Sequence, residues 1–571
     1  MRLKLIRIGI TALFIAVGCG LFCTQFLQGG YFHELSVNNR IRLVPLEGQR
    51  GQILDRNGVI LADTRLAFNV SVIPQEVNGE EKLFEFLANS LKVNKNKLLQ
   101  VYQQRRVAPF APVIVAEGIN KTTAMVLEEN KFQFPGLYIE ESLQRQYPFQ
   151  AIGAHVLGYV GKINPDKIEK MGEYGYTHES IVGKSGVEEY YDAFLKGTVG
   201  GQQIEVNSRG QQVRLLSIRD STPGKDIQLT IDERVQELAS NLLADHKGSI
   251  LVMDRENGEI LGMVNFPSYD PNMFLDTESK KNVGSIFIDP GAPLLNRATQ
   301  GLYPPGSVFK TIVTIGGLLT GKINLHTTFD CDGAFHLGRR LFRCAHVHGT
   351  QDWLQGITHS CNVYFFNVGQ LIGPEVMYNY ARLLGLGDLT KIDLPYEEKG
   401  SVPSPLQRKI KSKRGWYKGD TLNFAIGQGD LLVTPLQLLR MMSTVARNGQ
   451  EVQPHLLKGI NHEDIVNVAT PRTIPIDPSI FKILQEGFRS VVEDSTGTAH
   501  VLNIEGLDVS GKTGTAQTAA NKDSHAWFVG YNNQGKTKIV FCVFLEYGGS
   551  SYNAVVLAKE LLTQMQALEI L

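Results

Sequence analysis

An uncharged run extends from Ile8 to Leu27 (IGITALFIAVGCGLFCTQFL), and no other segment is both long and apolar enough to match it. A helix rises about 1.5 Å per residue, so a run of this length crosses the roughly 30 Å hydrocarbon core of a bilayer once. Arg2, Lys4 and Arg7 stand on its amino-terminal side, and the positive-inside tendency then leaves the rest of the chain outside the cytoplasm. A cleaved signal peptide would carry only about 7 to 15 apolar residues and a small-x-small site. Neither is present, so residues 1–28 are read as a short cytoplasmic tip and a retained membrane helix. Further on the hydrophobic period changes. Arg50 to Ala62 (RGQILDRNGVILA) holds two short apolar runs around Asn57-Gly58, a pair suited to the positive φ of a hairpin turn. Residues 80–105 show a helical, amphipathic period, and Gly183 to Gly201 is a helical stretch punctuated by glycine. Thr222-Pro223-Gly224 interrupts the chain. An amino-terminal domain is therefore expected over 36–223 and a second domain over 224–571.

The second domain opens with Asp232 as a helix cap before Val235, Leu238, Leu242 and Leu243, which share one helical face. Two strand-like runs follow, 249–254 and 259–264, joined by Glu256-Asn257-Gly258, a strong hairpin signal. Near the other end 509–517, 526–531 and 537–546 read as three more strands, and 554–571 as a closing helix. Strands at both ends around a helix-rich middle favour an α+β domain, an antiparallel sheet covered by helices, over a doubly wound parallel one.

A length of 571 residues suits two to four domains. The chain carries 57 Lys and Arg against 57 Asp and Glu. That balance argues against a nucleic-acid binder, whose affinity comes from neutralising phosphates. A hydrophobic share of 43% with 20% charged residues excludes disorder and a polytopic membrane protein. The cysteines change the picture more. Cys19 and Cys23 lie in the anchor and Cys542 in an apolar strand, which leaves Cys331, Cys344 and Cys361. His326, His336, His346, His348 and His359 share that region, and an odd number of thiols among imidazoles suggests a metal site.

Candidate chemistry begins at Tyr303-Pro304-Pro305-Gly306-Ser307-Val308-Phe309-Lys310, which precedes an apolar helical stretch. Ser307 would open the helix with Lys310 one turn on, where side chains at i and i+3 meet. A serine hydroxyl needs a base to become a nucleophile, and a buried lysine of lowered pKa can be that base. Free backbone N–H groups at the helix start could hold an oxyanion. Ser-x-x-Lys alone is weak, but Ser360-Cys361-Asn362 follows, and then Lys512-Thr513-Gly514-Thr515 within an expected strand. There the glycine would let a ligand backbone approach the strand edge. The three motifs in this order are specific.

With these motifs the chain resembles the penicillin-binding transpeptidases, specifically the class B, elongation-type kind. The likeness covers nearly the whole chain. It includes the anchor, Arg50 to Gly58 (RGQILDRNG), Gly183 to Tyr191 (GKSGVEEYY), Tyr269-Asp270-Pro271-Asn272, Asn296-Arg297-Ala298 and Ile426-Gly427-Gln428-Gly429. It implies the serine β-lactamase-like fold, a five-stranded antiparallel sheet between helices, carried on an amino-terminal pedestal. It implies that Ser307 attacks the penultimate D-Ala carbonyl of a peptidoglycan stem pentapeptide, with Lys310 as base and loss of terminal D-Ala, and that β-lactams acylate the same serine. Ser360 would relay a proton to the leaving group and Asn362 would orient Lys310 and the substrate amide. Thr513 and Thr515 would hold the substrate carboxylate beside a charged Lys512, and the N–H groups of Ser307 and Thr515 would form the oxyanion hole.

The resemblance also implies a structural zinc on Cys331, Cys344, His348 and Cys361. Their spacings of 13, 4 and 13 residues are not those of common zinc modules. His346, Asp330 and Asp332 are rival ligands, and a cysteine pair with one free thiol is the alternative. The implied partners are a multi-spanning glycan polymerase of the shape, elongation, division and sporulation class, a rod-shape scaffold protein and the membrane. A division or sporulation enzyme of the same chemistry, a β-lactam sensor or noncatalytic scaffold, and a β-lactamase are the competing readings. A sensor usually needs several spans and a cytoplasmic output domain, and no residue can be assigned to a β-lactamase's deacylating water.

Overall fold

The computed structural model describes residues 2–31, 41–46, 48–164, 166, 168, 180–206, 212–275, 280–413, 415–461, 463–464, 471–518 and 521–571. They form two compact units. One comprises Met1–Gly51, Thr64–Gln144 and Lys196–Gly224, the other Gln52–Asp63, Arg145–Leu195 and Lys225–Leu571. The two units interleave along the chain, so that segments before residue 224 belong to both. The reason is non-local strand pairing, because Ile53–Leu54 lies parallel to Ile227–Leu229 and antiparallel to the start of Ile60–Val72. The expected first residues, 36–40, lie outside the described residues.

In the first unit an apolar helix, Arg2–Phe22, continues through a π-helical turn, Cys23–Leu27. Within Leu3–Leu27 an 18-residue window reaches a mean hydropathy of 2.2, and none of the segment is buried. It is long and apolar enough to cross a membrane. The helical period of 80–105 resolves into two helices, Glu80–Leu91 and Lys95–Arg105. Lys92 takes a φ of 56° between them, and Asn94 caps the second by accepting from the Asn96 N–H.

The second unit is built on five strands: β1 (Gly248–Asp254), β2 (Ile260–Phe266), β3 (Val509–Ala516), β4 (His525–Asn532) and β5 (Ile539–Leu545). They pair antiparallel throughout, in the order β2-β1-β5-β4-β3. Seven helices matter to the site: α1 (Glu233–Leu243), α2 (Lys310–Leu319), α3 (Trp353–Thr358), α4 (Asn362–Leu383), α5 (Pro435–Ala446), α6 (Pro478–Glu493) and α7 (Ser551–Ala567). Strand side chains alternate between faces, and here both faces are covered. Ile250, Val252, Phe541 and Val543 pack with Val235 and Leu243 of α1 and Leu561 and Leu562 of α7. Leu251, Met253, Cys542 and Phe544 pack on the opposite face with Leu438, Leu439 and Met442 of α5. This two-sided burial is why the strands read as continuous apolar runs rather than alternating ones. β3, which carries Lys512 to Thr515, is left at the edge of the sheet.

Candidate active site

Ser307 lies in a tight turn, Gly306–Phe309, that runs directly into α2. The segment leading to it is fixed by buried polar contacts. Asn265 Oδ1 accepts from Ala298 N at 2.7 Å, and the fully buried Arg297 donates to Glu546 at 2.8 Å and to the Gly291 carbonyl at 2.6 Å. The turn itself is held by backbone. Gly306 N donates to the Gly427 carbonyl at 3.0 Å, and Trp527 Nε1 donates to the Pro304 carbonyl at 3.1 Å.

Three glycines permit this crossing. Gly306 adopts a φ of +55°, and a Cβ there would stand 2.7 Å from Thr515 O; a Cβ on Gly427 would stand 2.1 Å from Gly306 O. Contacts under about 3 Å leave no room for a side chain. The third is Gly514, where a Cβ would meet Pro305 O at 2.8 Å and Val308 Cγ2 at 3.0 Å. The glycine of Lys-Thr-Gly-Thr, expected to admit a ligand backbone, therefore admits the turn that carries Ser307. The same packing brings Thr515, which is exposed, next to that turn.

Lys310, the first residue of α2, is fully buried and reaches across to the second motif. Its Nζ donates to the Ser360 carbonyl at 2.6 Å, to Asn362 Oδ1 at 2.8 Å and to Ser360 Oγ at 3.2 Å, and it sits 5.3 Å from the centre of the Phe365 ring. The second motif is not helical as a whole. Ser360 lies between α3 and α4 with a φ of 55°, in the left-handed region that bulky residues avoid, Cys361 caps α4, and Asn362 is its first residue. That backbone presents both oxygens of Ser360 to Lys310. Asn362 Nδ2 donates in turn to the Arg343 carbonyl at 3.3 Å.

Lys512 is also fully buried, and its nearest acceptors, Thr513 O and Thr513 Oγ1, stand 3.5 and 3.4 Å away. Burial pulls Lys310 down to about 8. Burial and then the Lys310 charge push Lys512 well below its ordinary value. With three close acceptors against two distant ones, Lys310 has the stronger hold on a proton in the free chain. The resemblance implied the opposite allocation, a neutral Lys310 beside a charged Lys512.

Thr498 is a neighbour that the sequence did not flag. Its hydroxyl shares a hydrogen bond of 2.8 Å with Thr513 Oγ1, and its N–H faces the Thr358 carbonyl at 3.4 Å. Nothing in the run Ser495-Thr496-Gly497-Thr498 distinguishes it from an ordinary loop.

Cys331, Cys344, His348 and Cys361 converge, their ligand atoms all lying within 4.8 Å of one another. His348 Nδ1 is 3.5 Å from Cys331 Sγ and 3.5 Å from Cys344 Sγ, and Cys344 Sγ is 3.9 Å from Cys361 Sγ. Tetrahedral zinc with Zn–S near 2.3 Å and Zn–N near 2.0 Å sets sulfurs about 3.8 Å apart and sulfur to nitrogen about 3.5 Å. The donor set fits that ion, and 3.9 Å is far from the roughly 2.05 Å of a disulfide. The rivals are engaged elsewhere: Asp330 accepts from Thr350 Oγ1 at 2.6 Å, Asp332 accepts from Ala334 N at 3.2 Å, and His346 offers Cys331 only its carbonyl. Two thiols also hold the start of α4. Cys344 Sγ accepts from Asn362 N at 3.2 Å and Cys361 Sγ from Tyr364 N at 3.5 Å. Cys361 thus points into the thiol cluster while its neighbours Ser360 and Asn362 bond Lys310.

Residues 248–565 match the penicillin binding protein transpeptidase domain, and residues 45–229 match the penicillin-binding protein dimerisation domain. The peptidoglycan D,D-transpeptidase MrdA of Acinetobacter baumannii is 32% identical over 96% of this chain and 86% of that protein. Among solved structures, a complex between the penicillin-binding protein PBP2 and MreC from Helicobacter pylori superposes with a TM-score of 0.82 at 31% identity, covering 93% of this chain and 100% of that one. A structure describing coordination of polymerization and crosslinking by a peptidoglycan synthase complex gives 0.73 at 29% identity, covering 98% of both chains. By its domains, its relatives and its sheet, the chain belongs to the penicillin-binding transpeptidases.

Proposed function

We propose that this chain is a peptidoglycan D,D-transpeptidase of wall elongation. The observation that carries the reading is Lys310 Nζ, held 2.8 Å from Asn362 Oδ1 and 3.2 Å from Ser360 Oγ one turn beyond Ser307. The edge strand β3, with Thr515 exposed on it, supports it, since an extended stem peptide can add to a sheet edge by main-chain pairing. The hydroxyls of Thr513 and Thr515 with Lys512 would take its terminal carboxylate. Ser307 Oγ then attacks the penultimate D-Ala carbonyl carbon, and its proton passes to Lys310. The bond to the terminal D-Ala nitrogen breaks, with a proton supplied through Ser360, and an amine of a neighbouring stem displaces Ser307 from the acyl group. The substrate carboxylate also resolves the sharing of protons. A negative charge beside Lys512 favours its ammonium, and that ammonium pushes Lys310 toward the neutral base.

Cys331, Cys344, His348 and Cys361 would hold one structural zinc, whose chemistry is to tie these four side chains together. Four protein ligands leave no open position for water. In the same reading the amino-terminal helix anchors the chain, with Arg2, Lys4 and Arg7 on the cytoplasmic side and the catalytic domain outside. A scaffold protein and a multi-spanning glycan polymerase are the expected partners. The H. pylori PBP2 solved with MreC and the synthase complex that couples polymerization to crosslinking support them.

Intact-mass measurement after benzylpenicillin treatment should show one added acyl group, mapped by peptide analysis to Ser307, and Ser307→Ala should take none. Covalent labelling of Ser307→Ala would overturn the reading. Metal analysis should return about one zinc per chain. Its removal by a chelator should lower the thermal midpoint, because a ligand bound only to the native state adds to folding free energy. Acylation should fall with it, since an error of about 1 Å in Ser360 and Asn362 can cost on the order of 100-fold in rate. Metal-free, fully active protein would sink the zinc proposal.

A further inference from the structure

We propose that the cleft has a basic rim that docks the carboxylate-bearing glycan strand of the wall polymer and so presents its stems to Ser307; this inference rests on the transpeptidase reading. The chain as a whole carries no net charge. Residues 334–343 and 405–420 nevertheless hold nine Lys and Arg against one acid, Asp420. Arg339, Arg340, Arg343, Lys409, Lys413 and Lys418 are exposed, and none of them has an ion-pair partner among the described residues. Among the described residues of the two segments only Arg408 is neutralised, 2.7 Å from Asp420 and 3.8 Å from Asp430.

Contacts place both segments at the cleft. The hairpin formed by Ala334–Leu337 and Arg340–Arg343 offers the Arg343 carbonyl to Asn362 Nδ2 at 3.3 Å. A Cβ on Gly419 would meet Phe342 Cζ at 3.3 Å and Arg340 Nη1 at 3.9 Å, and Gln370 of α4 donates to the Lys418 carbonyl at 3.0 Å. Asp430, the partner of Arg408, closely follows Gly427, whose carbonyl holds Gly306 N. The rim therefore borders Asn362 and the neighbourhood of the turn that carries Ser307.

Exposed charges act over a Debye length of about 8 Å, and a surface patch of one sign attracts a ligand of the other. The ligand must also suit apolar surface. Tyr417 is 70% exposed between Lys413 and Lys418, and Leu406 and Ile410 lie 64% and 69% exposed on one face of the neighbouring helix Pro405–Ser412. A polymer of sugar rings carrying peptide carboxylates meets both demands, with ring faces on Tyr417 and carboxylates on the cations. A bilayer surface also suits basic and apolar side chains. The bond from Asn362 to Arg343 favours the strand, because whatever binds this hairpin lies beside the reacting groups.

The test titrates the full chain, in detergent, with fluorescent linear glycan strands bearing intact stems, and with the same strands after their carboxylates are capped as methylamides. The triple variant Lys409→Gln, Lys413→Gln, Lys418→Gln should bind native strands at least about fivefold more weakly near 50 mM salt. Capped strands should bind the parent chain as weakly, and added salt should close the gap, since screening acts on exposed charges. Benzylpenicillin acylation of Ser307 should change less than about twofold, which reports an intact fold and cleft. Equal binding by variant and parent, or equal binding of native and capped strands, overturns the rim. Failure of either protein to be acylated counts instead against the transpeptidase reading, on which the binding curves do not depend.

Discussion

Two buried lysines next to each other cannot both stay charged at little cost, and the free chain gives Lys310 the better acceptors. Lys310, the proposed base, then keeps its proton near neutral pH, and its value lowered to about 8 should set the acid limb of acylation. In the proposed mechanism only neutral Lys310 accepts the Ser307 proton, so the rate should rise with pH, about tenfold per unit below pH 8, and level off above it. A ligand with a carboxylate placed at Lys512 should move that limb to lower pH, and a decarboxylated analogue should not. Second-order acylation constants measured from about pH 6 to 10 decide this, and coincident limbs would refute the proton transfer between the lysines. The sequence carried the identity of these groups but not their protonation. Protonation follows from burial and from the left-handed turn at Ser360, which no local pattern announces. A serine in that conformation costs roughly 1 kcal/mol or more, retained here because it aims both Ser360 oxygens at Lys310.

Among the elements, β3 and the Ser307 turn act as one piece, since they meet backbone to backbone at Gly306 and Gly514. Gly514→Ala should force them apart. A loss of about 1 to 3 kcal/mol in stability should accompany a fall in acylation of on the order of 10- to 100-fold. Thermal unfolding and benzylpenicillin labelling measure the two, and an alanine variant that labels at the parent rate would show that the crossing does not position Ser307. The positions of the strands were legible because β1, β2 and β5 are runs of apolar residues and turn signals bound them, Asn257-Gly258 above all. The short strands Phe329–Cys331 and Gly349–Gln351, which help gather the metal candidates, were not, being three residues each without an apolar period. Thr498 escaped for a related reason, since its role depends on a contact with Thr513 rather than on its own surroundings in the chain.

For the molecule as a whole, the helix from Leu3 to Leu27 adds nothing to either core, because no part of it is buried. A chain shortened to begin at Ser36 should therefore be soluble without detergent and still be acylated at the parent rate. Sedimentation and labelling test this, and aggregation or loss of labelling would contradict it. The boundary expected near residue 224 agrees with the matched domains, 45–229 and 248–565, but the interleaving of the two compact units was not legible, because it depends on Ile53–Leu54 finding Ile227–Leu229 far along the chain. That pairing bears on how such proteins can be recombined. The catalytic unit enters the chain three times, as Gln52–Asp63, Arg145–Leu195 and Lys225–Leu571. A genetic exchange with a single joint at residue 224 would seat a foreign strand beside Ile227 and leave the two earlier segments behind. Lineages of this architecture are thus expected to trade it whole, or in patches inside it, and not as a detachable carboxy-terminal module.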